Sequence, residues 1–486
     1  MTSSIRARFA PSPTGYIHVG SVRTALYNYL FAKKNKGTYV LRVEDTDQTR
    51  KVDGSIENLL DVMNKLSLAS DEGPSAQGQT GDFGPYYQSE RLDLYQKYIE
   101  QMIESKKAYR CFCSSERLDE MRINQTAKGL PTRYDRKCLS LSIEESNSRA
   151  NESHVVRLNV PVNETILVDD IIRGKIQFKS EEIDDQVLLK SDGFPTYHFA
   201  NVVDDHLMKI SHVIRGEEWL LSTAKHVLLY QALSWETPKF AHLPLLLNAD
   251  KSKLSKRQGD VAVEDFLNAG YLEEALINFL ALLGWHGNTD QEIFTLDELI
   301  EQFSLERVSK SGAVFDREKL DWMNGQYLKN IISEERYLEV VHKALDSSFD
   351  HSFTKAQLDK IFLALRSKLD KAKDINDHFQ VFVTPFAEFD YSGTDIQEVM
   401  AIESNELLFS LFMDEIDDAE TLDSATFKKI MKSIQKEHKI KGKALFMSSR
   451  VALTGQMHGP DLGILADVFT KEELIARFDN AKLKLP

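Results

Sequence analysis

The sequence has only three cysteines in 486 residues, Cys111, Cys113 and Cys138, the first two separated by a single residue. That number and spacing cannot build the disulfide framework of a secreted scaffold, and they fit a reducing compartment. No apolar run approaches the roughly 20 residues that a membrane-spanning helix needs, so a membrane span is excluded. No leader pattern precedes Ile5, where the first core strand is expected, and the cytoplasm is the simplest location. An excess of positive charge is also missing. Sixty Lys and Arg against 75 Asp and Glu give a net charge of −15, so any nucleic-acid contact must rest on local basic patches. No internal repeat or low-complexity tract stands out. What is present is ordinary soluble composition, at a length that supports two or three cores.

The most informative stretch is residues 5–30. Ile5, Ala7 and Phe9 alternate with Arg6 and Arg8, the pattern of a short strand with one buried face. Pro11, Pro13 and Gly15 break that strand into a loop. Val22, Ala25, Leu26, Tyr29 and Leu30 then recur at helical spacing. The order strand, loop, helix puts His18 and Gly20 at a helix mouth, where open amides and the dipole favour a phosphate. Gly20 lets a flat ligand approach the backbone, and His18 adds a side-chain donor.

Residues 37–46 read as a strand ending in Glu44, Asp45 and Asp47, carboxylates placed at the crevice where open α/β sheets bind ligands. Residues 73–84 read as a glycine-rich loop, residues 92–103 as a helix, and residues 154–188 as strands of a small α+β insertion. Arg215 closes a strand at 212–214, so Arg8 and Arg215 come from two strand ends of one inferred sheet. Guanidinium forks there suit a carboxylate. Residues 243–260 contain a lysine-bearing polar loop, on composition either an ordinary solvated loop or one able to close over phosphates. Beyond Val261 the patterns are almost wholly helical. Residues 386–423 carry acids and neither Lys nor Arg, whereas residues 427–450 gather seven lysines and Arg450, either a solvated helix face or a surface for phosphates. The cysteines suggest a structural zinc site, or buried reduced thiols.

Three blocks carry a family resemblance. PSPTGYIHVGSVRTAL (11–26) resembles the first signature of the class I aminoacyl-tRNA synthetases, here His18-Val19-Gly20-Ser21, in the form of the glutamyl branch. Lys253-Leu254-Ser255-Lys256-Arg257 resembles the second signature, and residues 191–220 resemble the second half of the glutamyl active site. The chain is thus identified as a member of the glutamyl-tRNA synthetase family, bacterial or organellar in type.

The resemblance implies an α/β fold: a Rossmann-like class I catalytic domain split between 1–85 and 198–245, with an acceptor-end-binding insertion at 86–197. A stem-contact domain at 246–331 and an all-α anticodon-binding domain at 332–486 follow. It implies ATP-dependent ligation of glutamate to tRNA(Glu) through glutamyl-adenylate, with Mg²⁺ and in a monomer. The alternatives are an enzyme that also charges tRNA(Gln) and, further off, a glutaminyl enzyme. A small-molecule adenylyltransferase would leave the helical third unemployed, and a non-enzymatic tRNA-binding protein would be expected to lose His18 or Lys256.

By the same resemblance His18, Lys253 and Lys256 are catalytic. Gly15, Gly20, Ser21, Glu218, Leu246, Ser255 and Arg257 join them around ATP. Arg8, Ala10, Ser12, Glu44, Tyr197, Asn201 and Arg215 hold glutamate, with Glu44 on its ammonium group. Lys436, Lys439, Lys441 and Arg366 are expected to contact tRNA. A zinc set of Cys111, Cys113, Tyr134 and Cys138 matches related glutamylating enzymes, since Ser140 stands where other synthetases carry a histidine ligand.

Overall fold

A computed structural model of the chain describes residues 4–254 and 261–486. It packs as two compact units, residues 1–266 with 273–317 and residues 267–272 with 318–486. The first unit is built on a six-stranded sheet. β1 (Arg6–Phe9) lies between β2 (Thr38–Leu41) and the strand His212–Gly216, all parallel; Lys239–Leu243 follows, then Thr165–Asp170 and Gly174–Lys179. Only the last two strands pair antiparallel.

β1 departs from the expected alternation, because all four of its residues are buried. A central strand of a parallel sheet is covered on both faces, so its arginines have no water to face. Each takes a carboxylate instead. Arg6 donates to Glu72 at 2.7 and 2.8 Å, and Arg8 to Asp205 at 3.0 and 3.2 Å. Helix α1 (Val19–Lys34) follows the loop and crosses to β2, as its apolar spacing required. Its burial extends beyond the expected stripe to Arg23, Tyr27 and Asn28. Tyr27 donates to the carbonyls of Ala281 and Leu283, and Arg23 to those of Leu283 and Pro244.

The stretch expected to be a glycine-rich loop forms a tight hairpin, Gly73–Ser75 with Gly78–Thr80. Gly73 sits at φ 133°, and a Cβ there would meet the Leu41 carbonyl oxygen at 2.3 Å, so only glycine fits. The strands of the insertion divide between two sheets. Ala108–Cys111, Val155–Leu158 and Val187–Leu189 form a separate antiparallel sheet, whereas Thr165–Asp170 and Gly174–Lys179 extend the main one. In Thr165–Asp170 alternate residues are buried, as on a strand with one covered face. That period marks a strand but does not say which sheet it joins.

In the second unit the described residues beyond Ile331 contain helices and no strand, as the sequence suggested. Its centre is aromatic: Phe412 and Phe478 stack at 4.7 Å between centroids, and the buried Arg477 lies over Phe469 at 4.2 Å. Arg477 survives burial because Glu473 and the Leu453 carbonyl accept from it.

Candidate active site and metal centre

The carboxyl ends of β1, β2, His212–Gly216 and Lys239–Leu243 open onto a cavity of about 490 Å³, where a parallel sheet places its ligands. Arg8, Ala10, Ser12, Glu44, Tyr197, Asn201 and Arg215 line it, and so do His18, Gly20, Ser21, Glu218, Leu246 and Lys253. Gly15 lines an adjoining cavity of about 400 Å³ on the far side of the proline loop. The expected Ser255, Lys256 and Arg257 lie outside the described residues.

At the amino-acid end the charges are tightly organised. Arg42, fully buried, donates to Glu44 Oε1 at 2.8 Å and to Asp205 at 2.8 Å, and Asp205 also holds Arg8. Burial alone would raise the Asp205 carboxyl, but Arg8 and Arg42 together hold it below its ordinary range. Glu44 goes the other way, because burial outweighs Arg42 and raises its carboxyl. Asn201 donates to the same Glu44 oxygen at 2.8 Å, which leaves Oε2 with no donor among the described residues. Arg215 differs from Arg8 in kind. It makes no ion pair among the described residues, and its donors reach His242, Tyr197, His226, Thr223 and the Trp219 carbonyl. The pocket therefore presents an uncompensated guanidinium and an unused carboxylate oxygen.

At the phosphate end the expectation of open amides is corrected. His18 is the N-cap of α1, and its Nδ1 accepts from the amides of Gly20 at 3.1 Å and Ser21 at 3.3 Å. The Val19 amide donates to the Val261 carbonyl at 3.0 Å. With Nδ1 an acceptor, the imidazole proton sits on Nε2, 3.1 Å from Ser21 Oγ. The space left by the missing Cβ of Gly20 is filled by the His18 ring, which that atom would approach to 3.0 Å. An anion at this end would meet an imidazole N–H and the helix dipole rather than bare amides.

The three cysteines come together in the first unit with their sulfurs within 4.8 Å of one another. The Tyr134 hydroxyl lies 3.3 Å from Cys111 Sγ and 3.4 Å from Cys113 Sγ. A tetrahedral zinc with bonds of about 2.3 Å needs sulfurs about 3.8 Å apart, so three thiols and one phenol fit that ion. Burial raises the Cys113 thiol to about 11. The second unit places Lys436, Lys439 and Lys441 on its surface around the turn between Ser424–Glu437 and Lys443–Thr454. Arg366, expected to read RNA, is engaged otherwise: it donates to the carbonyls of Leu328 at 2.7 Å and Ile332 at 2.6 Å and lies over the Tyr337 ring. That clamp competes with base reading.

Comparison with known proteins decides the family. The model for class I tRNA synthetases (E and Q), catalytic domain, matches residues 4–322, and that for an anticodon binding domain matches residues 335–482. The chain belongs to the class I tRNA synthetases of the E and Q group. It is 49% identical to the glutamate–tRNA ligase of Clostridioides difficile (strain 630) and 48% identical to that of Alkaliphilus metalliredigens (strain QYMF), over 99% of each chain. The crystal structure of a glutamate tRNA ligase from Elizabethkingia meningosepticum CCUG26117, in complex with its amino acid, superposes with a TM-score of 0.91 at 38% identity over 100% of both chains. The resemblance read from the signatures is thus confirmed, as is the order of a Rossmann-like domain and a helical anticodon-binding domain. No helix of the synthetase, among the described residues, is long and apolar enough to cross a membrane.

Several pocket residues of the synthetase escaped the sequence reading. Arg23 and Trp219 line the cavity, Trp219 with its ring centroid 4.5 Å from that of Tyr197. Asp205, Arg42 and His242 stand behind it. Only the pairing of Arg42 with Glu44, two residues apart just beyond β2, left a local signal.

Proposed function

We propose that this synthetase joins L-glutamate to tRNA(Glu) in two steps. The α-carboxylate of glutamate attacks the α-phosphorus of ATP and pyrophosphate leaves, giving glutamyl-adenylate. The 2′-hydroxyl of the terminal tRNA adenosine then attacks the activated carbonyl, and AMP leaves. The observation that carries the choice of amino acid is the charge of the pocket. Arg215, without a counter-ion among the described residues, takes the side-chain carboxylate together with Arg8, and Glu44 Oε2 takes the ammonium. A glutamine side chain would leave the Arg215 charge buried and uncompensated.

In-line displacement at phosphorus rests on placement and charge stabilisation more than on a covalent nucleophile. His18 Nε2–H, Lys253 and Lys256 stabilise charge growing on the phosphates, and Mg²⁺ bound with ATP would supply further positive charge. Leu246 meets adenine through its main chain. The insertion at 86–197 grips the acceptor end, 246–331 the stem, and 332–486 the anticodon. The enzyme works as a monomer in the cytoplasm. Aminoacylation with purified tRNA tests the reading: glutamate should be joined to tRNA(Glu) and glutamine should not, and a parallel reaction reads whether tRNA(Gln) is accepted. Reversing Lys436, Lys439 and Lys441 to Glu should raise KM for tRNA and flatten its salt dependence. Unchanged values at several salt concentrations would remove those lysines from the RNA surface.

We assign a structural zinc to Cys111, Cys113, Cys138 and Tyr134. It would tie the strand Ala108–Cys111 to the segment 134–138, and its binding would release the proton that burial keeps on the Cys113 thiol. Metal analysis of protein purified without added zinc should give close to one ion per chain. A clearly substoichiometric content would overturn the assignment.

A further inference from the structure

Arg8 and Arg215 reach the same pocket but are held in different ways. Arg8 is gripped by a carboxylate, Asp205, which it shares with Arg42. Arg215 is gripped by an imidazole. Its Nε donates to His242 Nε2 at 3.1 Å, and His242 Nδ1 donates to Asp170 Oδ2 at 2.6 Å. Both the His242 and Asp170 side chains are fully buried. The other Asp170 oxygen accepts from the amides of Ile172 at 3.0 Å, Arg173 at 2.8 Å and His242 at 3.3 Å.

These bonds settle the protons. Arg215 Nε can only donate, so His242 Nε2 must accept and the ring proton must sit on Nδ1, facing a carboxylate that can only accept. The imidazole is then neutral. A protonated ring would set two N–H groups against each other at Nε2. The remaining donors of Arg215 also meet uncharged groups: Thr223 Oγ1 at 3.0 Å, Tyr197 OH at 3.3 Å, and His226 Nδ1 and the Trp219 carbonyl at 3.4 Å. His226 in turn lies 3.0 Å from His198, and burial pushes the pKa of both well below the ordinary histidine value, to about 4 for His198.

We propose that Asp170 and His242 are positioning residues that hold the Arg215 guanidinium in orientation without neutralising it, and so reserve its charge for the substrate carboxylate. This rests on the reading that Arg215 binds the glutamate side chain. A carboxylate placed directly on Arg215, as Asp205 is on Arg8, would orient it equally well but would compete with the ligand for the same charge. Interposing a neutral ring separates the two tasks. The negative charge stays on Asp170, one ring away and held by three backbone amides, while the fork keeps a net positive charge in a site largely shielded from water. Asp170 closes the strand Thr165–Asp170, which pairs with Lys239–Leu243, so a residue of the inserted segment sets the amino-acid pocket of the parallel sheet.

The test is steady-state aminoacylation by the full-length enzyme, with KM measured separately for glutamate and ATP. Asp170→Asn keeps the shape, but its amide nitrogen must replace Oδ2, because three backbone N–H groups fix an oxygen at the other position. That nitrogen donates toward Nδ1, moves the ring proton to Nε2, and sets it against Arg215. KM for glutamate should rise about 10–100-fold, the scale seen for outer partners that orient a ligand-holding group, with KM for ATP within about twofold of the parent. His242→Leu should do the same. His242→Gln, which offers an amide oxygen near the Nε2 position, should recover glutamate KM to within about threefold. The His242 pair decides the matter if Asp170→Asn fails to fold. Arg215→Gln separates the two ideas. An unchanged glutamate KM there would sink the pocket reading itself. A raised KM for Arg215→Gln with an unchanged KM for Asp170→Asn, or parallel losses in glutamate and ATP, would overturn the role of the dyad alone.

Discussion

Asp205→Asn is expected to cost the catalytic unit about 3–5 kcal/mol of folding stability, the scale of breaking a buried ion pair from one side. The reason is the number of charges that depend on one group. Asp205 accepts from Arg8 at 3.0 and 3.2 Å and from Arg42 at 2.8 Å, and all three side chains are at most 3% exposed. An amide keeps the volume but removes the counter-charge and turns a donor toward two donors, while Arg42 retains Glu44 at 2.8 Å and the more distant Asp204 at 3.9 Å. The melting temperature of this unit should fall by on the order of 10 °C. The pH dependence provides an internal check. Arg8 and Arg42 overcome the burial of Asp205 and depress its carboxyl. Its stabilisation is therefore complete above the unfolded value of about 3.9 and is lost as pH falls through the lower folded value. Parent and variant should differ most near neutrality and converge on acidification below about pH 4. Calorimetry at several pH values measures both, and a gap that is absent at pH 7, or that persists undiminished in acid, would refute the account.

That result would also explain where sequence reading stopped. The signature around His18 and the cysteine pair were legible because their meaning is local, a strand-to-helix turn in one case and neighbouring ligands in the other. Arg8 was read as a residue with a ligand to bind, and it lines the cavity. Its partner Asp205 lies 197 positions away, and Asp170 lies 72 positions from His242, separations at which no periodicity speaks. The burial of Arg6 and Arg8 was misread for a related reason. Alternation of charged and apolar residues looks the same on a half-exposed strand and on a central strand whose charges are paired. The edge hairpin 165–179 showed its strands but not which sheet they extend. The mouth of α1 was read as an open anion site, and its amides are capped instead, because a histidine that caps a helix and a histidine that contacts phosphate occupy the same place in a sequence.

Those two uses of His18 can be separated, and the separation carries the second large effect. His18→Ala removes the cap from the Gly20 and Ser21 amides and also the Nε2–H, 3.1 Å from Ser21 Oγ, that is proposed to serve the phosphates. Losing the cap should cost about 1 kcal/mol of stability. Losing a donor aimed at developing negative charge should lower the rate of adenylate formation about 10²–10³-fold, equivalent to about 3–4 kcal/mol. His18→Asn divides the pair. Asparagine is among the best N-caps, so it should return the melting temperature to that of the parent, but its side chain is too short to cap both amides and present an N–H at the Nε2 position. Stability should therefore be rescued and the rate should not. Glutamate-dependent ATP–pyrophosphate exchange in the presence of tRNA, paired with thermal melts, reads the two quantities independently. A rate loss under tenfold in His18→Ala, or recovery of exchange in His18→Asn, would reduce His18 to a capping residue and hand the phosphates to Lys253 and Lys256. If instead the two readouts part as expected, one imidazole performs both tasks through its two nitrogens, with the helix amides fixing the tautomer that the chemistry uses.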